Sequence, residues 1–104
     1  MKTYNVIIDP TAESDMRGIH KYISETLLEP DIAKRIYLSI KKQIMSLDQM
    51  PSRHKIVVDE VLAQRNVRAL FVENYCAFYV VEETKKEVHV LRVLYKRREW
   101  QSLI

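Results

Sequence analysis

The hydrophobic period of this chain changes once, near Asn66, and the change confines it to folds in which paired helices precede paired strands. From Pro10 to about Leu28, the apolar residues Ala12, Met16, Ile19, Ile23 and Leu27 recur at steps of three and four. They form one helical stripe opposite Glu13, Arg17, Lys21 and Glu25. Glu29-Pro30-Asp31 then breaks and restarts the chain, and Ile32, Ile36, Ile40, Ile44 and Leu47 give a second stripe. So short a connection makes the two helices antiparallel neighbours.

After Asn66 the pattern is that of strands: VRALFV (67–72), YCAFYVVE (75–82) and EVHVLRVLY (87–95). Tight turns separate them at Glu73-Asn74, where asparagine suits a left-handed position, and at Thr84-Lys85-Lys86. An earlier strand, Tyr4–Ile8, runs into the first helix through Asp9-Pro10, an N-cap residue followed by proline at the first helical position. Residues 51–65 lack a clean period and are expected to be a long loop with one short strand. The tail KRREWQSLI is expected to add a short helix with Trp100, Leu103 and Ile104 on its apolar side.

These elements predict an α+β fold: a helical hairpin packed on one face of a mostly antiparallel four-stranded sheet, with the other face left open for function. The 104 residues suffice for one core, so a single domain over residues 1–104 is expected. Gly18, in the first helix, suggests a close helix crossing, since glycine there is otherwise unfavourable.

Composition narrows the chemistry. One glycine in the whole chain rules out the glycine-rich loops that cradle nucleotide phosphates, so no nucleotide cofactor is expected. His20, His54 and His89 lack helical metal-pair spacing and the acidic residues form no cation loop, so no metal site is expected either. Cys76 has no second cysteine to pair with and lies in an apolar run, as a buried small side chain would. None of the serines stands at a turn of the kind a nucleophile needs. No apolar run is long enough to cross a membrane and the start resembles no cleaved leader, so a cytoplasmic protein is expected.

The formal net charge is +3, and its distribution says more than its size. Residues 1–52 carry seven Lys/Arg and seven Asp/Glu, whereas residues 53–104 carry ten and seven. The surplus gathers at Arg92, Lys96, Arg97 and Arg98, interleaved with Tyr95 and Trp100, with Arg65 and Arg68 entering the neighbouring strand. Guanidinium forks that grip phosphate and rings that stack on bases are what single-stranded nucleic acid requires; solvated charge at a strand end is the plainer alternative.

Three stretches, DPTAESDMRGIHKYI, NVRALFVENYCAFYVV and VHVLRVLYKRREWQSLI, resemble the RelE/ParE superfamily of bacterial toxins, most closely the chains ending in an RVLY-x-RR-x-W-x-x-L tail. The resemblance extends over nearly the whole chain. It implies a growth-arresting toxin held by a cognate antitoxin whose disordered segment folds over it. For RelE-like members it implies metal-independent cleavage of mRNA on the ribosome by attack of a ribose 2′-hydroxyl on the adjacent phosphate. On that pattern Arg97 or Arg98 would stabilise the phosphate and Tyr95 would stack or transfer a proton. Arg65, Arg68, Lys96, Arg92 and Trp100 would hold the RNA.

Two departures stand out. An arginine tends to open the penultimate strand of such nucleases, where this chain has Cys76, and the closest of them carry a later helical tyrosine that this sequence lacks. ParE-like members share the fold but poison DNA gyrase without being nucleases. The sequence reading places the ribonuclease narrowly first, the gyrase inhibitor second and an inactive antitoxin binder third.

Overall fold

A computed structural model describes residues 3–96. The expected C-terminal helix, with Trp100, lies outside them, as do Arg97 and Arg98.

The chain opens with strand β1 (Asn5–Ile8) and turns at Asp9 into helix α1 (Pro10–Lys21). Proline at the first helical position fits because its missing N–H would have no intrahelical partner. The expected stripe continues to Leu27, but the regular helix stops at Lys21 and gives way to a single π turn, Tyr22–Thr26. Leu28 follows with φ 57°, a left-handed conformation unusual for a branched side chain. Helix α2 (Pro30–Met45) again begins on proline, and a short 3₁₀ turn, Ser46–Asp48, extends it.

Residues 51–65 hold more structure than their lack of period suggested. After a 3₁₀ turn at Pro51–Arg53 and an isolated bridge between Ile56 and Arg68 comes a short helix, α3 (Glu60–Gln64). Its first turn is fixed by the Asp59 carboxylate, which accepts from Leu62 N–H at 3.0 Å. A helix of five residues is too short for an apolar period to show, so the cap is its main sequence signal.

Strands β2 (Arg68–Val72), β3 (Tyr75–Glu82) and β4 (Glu87–Tyr95) form the meander expected. The sheet order is β1-β4-β3-β2, with β1 parallel to β4 and the other pairs antiparallel. A register shift between Phe78 and Tyr79 leaves Leu91 as the extra residue of β4. In the β2–β3 turn the left-handed residue is Glu73, φ 54°, and not Asn74. A double hydrogen bond from Arg35 of α2 to the Glu73 carboxylate helps hold that conformation.

The main core lies between the helices and one sheet face. It joins Ala12 and Met16 of α1, Ile40 and Ile44 of α2, and Leu70, Tyr79, Val88, Val90 and Val93 of the sheet. Each large aliphatic side chain removed from water here contributes about 1.5–3 kcal/mol. The opposite face is not left open as expected. Val57, Leu62 and Val67 pack over Cys76, Phe78 and Leu94 to make a second, smaller core. The loop before β2 thus covers part of the surface that the sequence pattern assigned to function. Nor does Gly18 mark a close helix crossing, because a Cβ built on it meets nothing within 4 Å.

Candidate functional site

Where β3 and β4 end beside the last turn of α1, the structure opens a cleft of about 690 Å³. Ser14, Asp15, Gly18 and Ile19 supply one wall from α1, Tyr22 and Leu27 cover the π turn, and Asn74, Tyr75, Val93 and Tyr95 close the strand side. Steps of three and four residues put Asp15, Gly18 and Tyr22 on one face of the helix. Its volume is that of an ordinary ligand or peptide cleft. The π turn that ends the helix presents Tyr22 and Leu27, both about half exposed.

Tyr75 and Tyr95 face each other across the two strands, ring centroids 5.9 Å apart. Burial, with smaller contributions from Tyr95, Glu73 and Tyr22, pushes the Tyr75 hydroxyl above the ordinary tyrosine range. Tyr95 is 43% exposed, which leaves its ring available to a partner. Lys96 follows it in the chain, exposed, with its N–H donating to Asn74 O at 2.9 Å.

The remaining candidates do not join them. Arg92 lies one turn of the pleat away, but its guanidinium is engaged by Asp15: Nε to Oδ2 is 2.7 Å and Nη2 to Oδ1 3.0 Å. Those hydrogen bonds to the carboxylate raise the Arg92 pKa above its usual value. Arg68 sits opposite Tyr79 and Tyr95 opposite Tyr75, four residues apart along β3, about 13 Å at the usual rise per strand residue. Its guanidinium donates to Ser52 O and His54 O and so anchors the 51–54 segment. Tyr79 serves the same segment: its buried hydroxyl donates to Pro51 O, and burial pushes its pKa up to about 12. Arg65 lies exposed at the end of α3. Arg97, Arg98 and Trp100 fall outside the described residues.

Cys76, which stands where related nucleases tend to carry an arginine, is fully buried, and desolvation pushes its thiol up to about 12. It packs the second core and offers no charge to a phosphate. The cleft's own residues Asp15, Gly18, Tyr22, Asn74 and Tyr75 were not among those expected to be functional. The available signal was the helical spacing that puts Asp15 and Tyr22 on one face with Gly18, the one glycine of the sequence. Among the described residues no cluster of His, Cys, Asp or Glu is placed to hold a metal ion, and no helix is long and apolar enough to cross a membrane.

Known proteins fit this geometry. A chain of the chromosomal ParDE toxin–antitoxin system from P. aeruginosa superposes with a TM-score of 0.74 over 91% of this chain and 98% of that one, at 23% identity. A chain of the Mycobacterium tuberculosis toxin–antitoxin complex RelBE2 gives 0.62 over 94% and 97%, at 20% identity. One from the archaeal RelE–RelB complex of Pyrococcus horikoshii gives 0.50 at 16% identity, covering 93% and 99%. No curated protein sequence matches the chain. At these identities the likeness establishes the fold; the family rests on a sequence model, that of the ParE toxin of type II toxin–antitoxin systems, which matches residues 6–100. The chain belongs to the ParE toxin family within the RelE/ParE superfamily.

Proposed function

We infer that this toxin arrests growth by binding, in the ParE manner, with DNA gyrase as its target and no covalent step of its own. The observation that carries the reading is the dispersal of the cations a phosphate-cleaving centre would need. Arg92 is paired with Asp15, Arg68 is bonded to main-chain carbonyls some four residue levels from Tyr95, and the penultimate strand presents a buried thiol instead of an arginine. A dianionic transition state requires preorganised positive charge, and the described residues do not converge on one point. What they do form is a cleft with aromatic walls, suited to a protein partner.

The ribonuclease remains the second reading, on one observation: Tyr95 and Lys96 are exposed at the end of β4, immediately before Arg97 and Arg98 in the sequence. In either case the protein that restrains the toxin is its cognate antitoxin, an expectation supported by the toxin–antitoxin complexes in which similar folds occur.

Inducing the chain alone tests the reading. Growth should stop, replication should fail before translation, mRNA 5′ ends should stay as in uninduced cells, and co-expressing the small open reading frame beside the toxin gene should restore growth. Early translational arrest with new, translation-dependent 5′ ends would select the ribonuclease instead.

A further inference from the structure

Helix α2 buries Ala33, Ile40 and Ile44, and Ile36 and Tyr37 lie half-buried beside them. A helix packed on one side shows its other side to solvent, and that side is normally polar. Here its midline is apolar. Leu38 and Met45, seven residues and about two turns apart, stand almost in line along the exposed face. Leu38 is 52% exposed and Met45 45%. Single exposed hydrophobic side chains are ordinary, but these two form one ridge.

Cations border the ridge on both sides. At 3.6 residues per turn, Lys34 and Lys41 fall about 40 to 60° to one side of Leu38, and Lys42 and Arg35 fall as far to the other. Arg35 is held by Glu73 of the β2–β3 turn. Among the described residues, Lys34, Lys41 and Lys42 form no ion pair. Helix α2 carries four cations against the single carboxylate of Asp31, a surplus of three that equals the formal net charge of the whole chain. Later cations are otherwise engaged, Arg68 by main-chain carbonyls and Arg92 by Asp15.

We propose that this ridge docks an acidic amphipathic helix of the protein that the toxin poisons. Leu38 and Met45 seat between the apolar side chains of that helix, as a ridge on one helix enters the groove of another. Glutamate or aspartate along its two borders meets Lys34 and Lys41 on one flank and Lys42 on the other, as charges beside the seam do in paired helices. Met45, flexible and polarisable, adapts to the partner's groove. Other occupants fit less well. Nucleic acid would hold the lysines but gain nothing from an apolar midline set against phosphate. A membrane surface takes a broad apolar face, and this ridge is one residue wide. A second copy would set like charge against like. Among the described residues that line the cleft beside β4, none belongs to α2, so the ridge is a separate contact. The inference rests on the reading that the chain arrests growth by binding a protein, and it assigns the face without needing that protein's name.

The probe is a synthetic helical peptide of leucine, alanine and glutamate, its leucines on one face, titrated into the full chain by NMR at about 0.15 M salt. Amides between Lys34 and Met45 should shift, and the same peptide with lysine for glutamate should leave them in place. Lys41→Glu/Lys42→Glu should weaken the glutamate peptide roughly tenfold or more, and Leu38→Ala roughly fivefold. Lys21→Glu/Lys85→Glu, which changes the net charge equally elsewhere, should bind as the parent does. Induced in cells, Lys41→Glu/Lys42→Glu should lose growth arrest while purified protein keeps the parent's helix signal. Leu38→Ala, which leaves the charges alone, should blunt the arrest, and Lys21→Glu/Lys85→Glu should keep it. A glutamate peptide that misses α2, equal binding by the α2 variants, or folded α2 variants that arrest growth as the parent does would each overturn the proposal. So would a DNA duplex or vesicles of anionic lipid that move the same amides at lower concentration than the peptide. A parent chain that arrests no growth, or arrests it by cutting mRNA, would sink the binding reading and the assigned partner with it, an outcome told apart because the peptide result does not depend on it.

Discussion

Asp15 of α1 holds Arg92 of β4 and at the same time closes the strand edge beside it, its Oδ2 lying 2.7 Å from Arg92 Nε and 3.0 Å from Val93 N. One carboxylate therefore satisfies the peptide N–H that the early end of β1 exposes and fixes the helix on the sheet. The pair is largely out of water, with side-chain exposures of 22% and 15%, so removing one partner leaves the other charge uncompensated.

Asp15→Ala should lower unfolding free energy by about 2 kcal/mol, in the range for hydrogen bonds to charged groups. Arg92→Ala should cost a similar amount, and the double variant should cost less than the two together. Urea unfolding of the four proteins checks this. Strict additivity would show that the pair contributes no coupling.

Gly18→Ala should raise unfolding free energy by about 1 kcal/mol, because alanine is the better helix residue and its Cβ meets nothing within 4 Å. A melting temperature lower than that of the parent chain would contradict the open space seen beside Gly18.

Cys76 should resist alkylation while the chain is folded. With its pKa pushed up to about 12, only about one thiol in ten thousand is ionised at pH 8, and the sulfur is fully buried besides. Iodoacetamide should therefore label it only on unfolding, and mass spectrometry along a urea series should give a labelling curve that follows loss of structure. Rapid labelling of the native chain would contradict the second core.

His54 makes stability pH-dependent. Burial, and after it the Arg53 charge, hold its pKa below the ordinary 6.5, so the folded state favours the neutral ring, set edge-on to Tyr79 at 6.3 Å. The unfolded chain binds the proton more readily. The contribution is thus complete above the unfolded value and is lost as pH falls from there through the lowered folded value. His54→Gln should flatten the fall in unfolding free energy as pH drops below 6.5 relative to the parent chain. An unchanged slope would assign it to other groups.

The architecture was legible because it is written in long periodic segments. The bounds of β3 and β4 are those read from the alternating runs, and both helix starts follow from proline after a break. What escaped lies where the period is too short or is interrupted. Five residues of α3 cannot display a stripe, the π turn at Tyr22–Thr26 falls inside a stripe that reads as continuous helix, and the second core draws its cover from a loop. The site was harder still. On a string of letters Arg92 stands just before Tyr95, and Arg68 opens a strand of the same meander. Strand register instead places Arg68 far along β3, and a carboxylate from α1, distant in sequence, claims Arg92. Pairings of that kind depend on tertiary geometry, which periodicity does not encode.

The central claim, poisoning by binding, is tested most directly by titrating purified toxin into a supercoiling reaction with purified DNA gyrase and relaxed plasmid. The toxin should block supercoiling in proportion to its concentration, and the cognate antitoxin should restore it. Full supercoiling at saturating toxin that is still able to arrest growth would contradict the account.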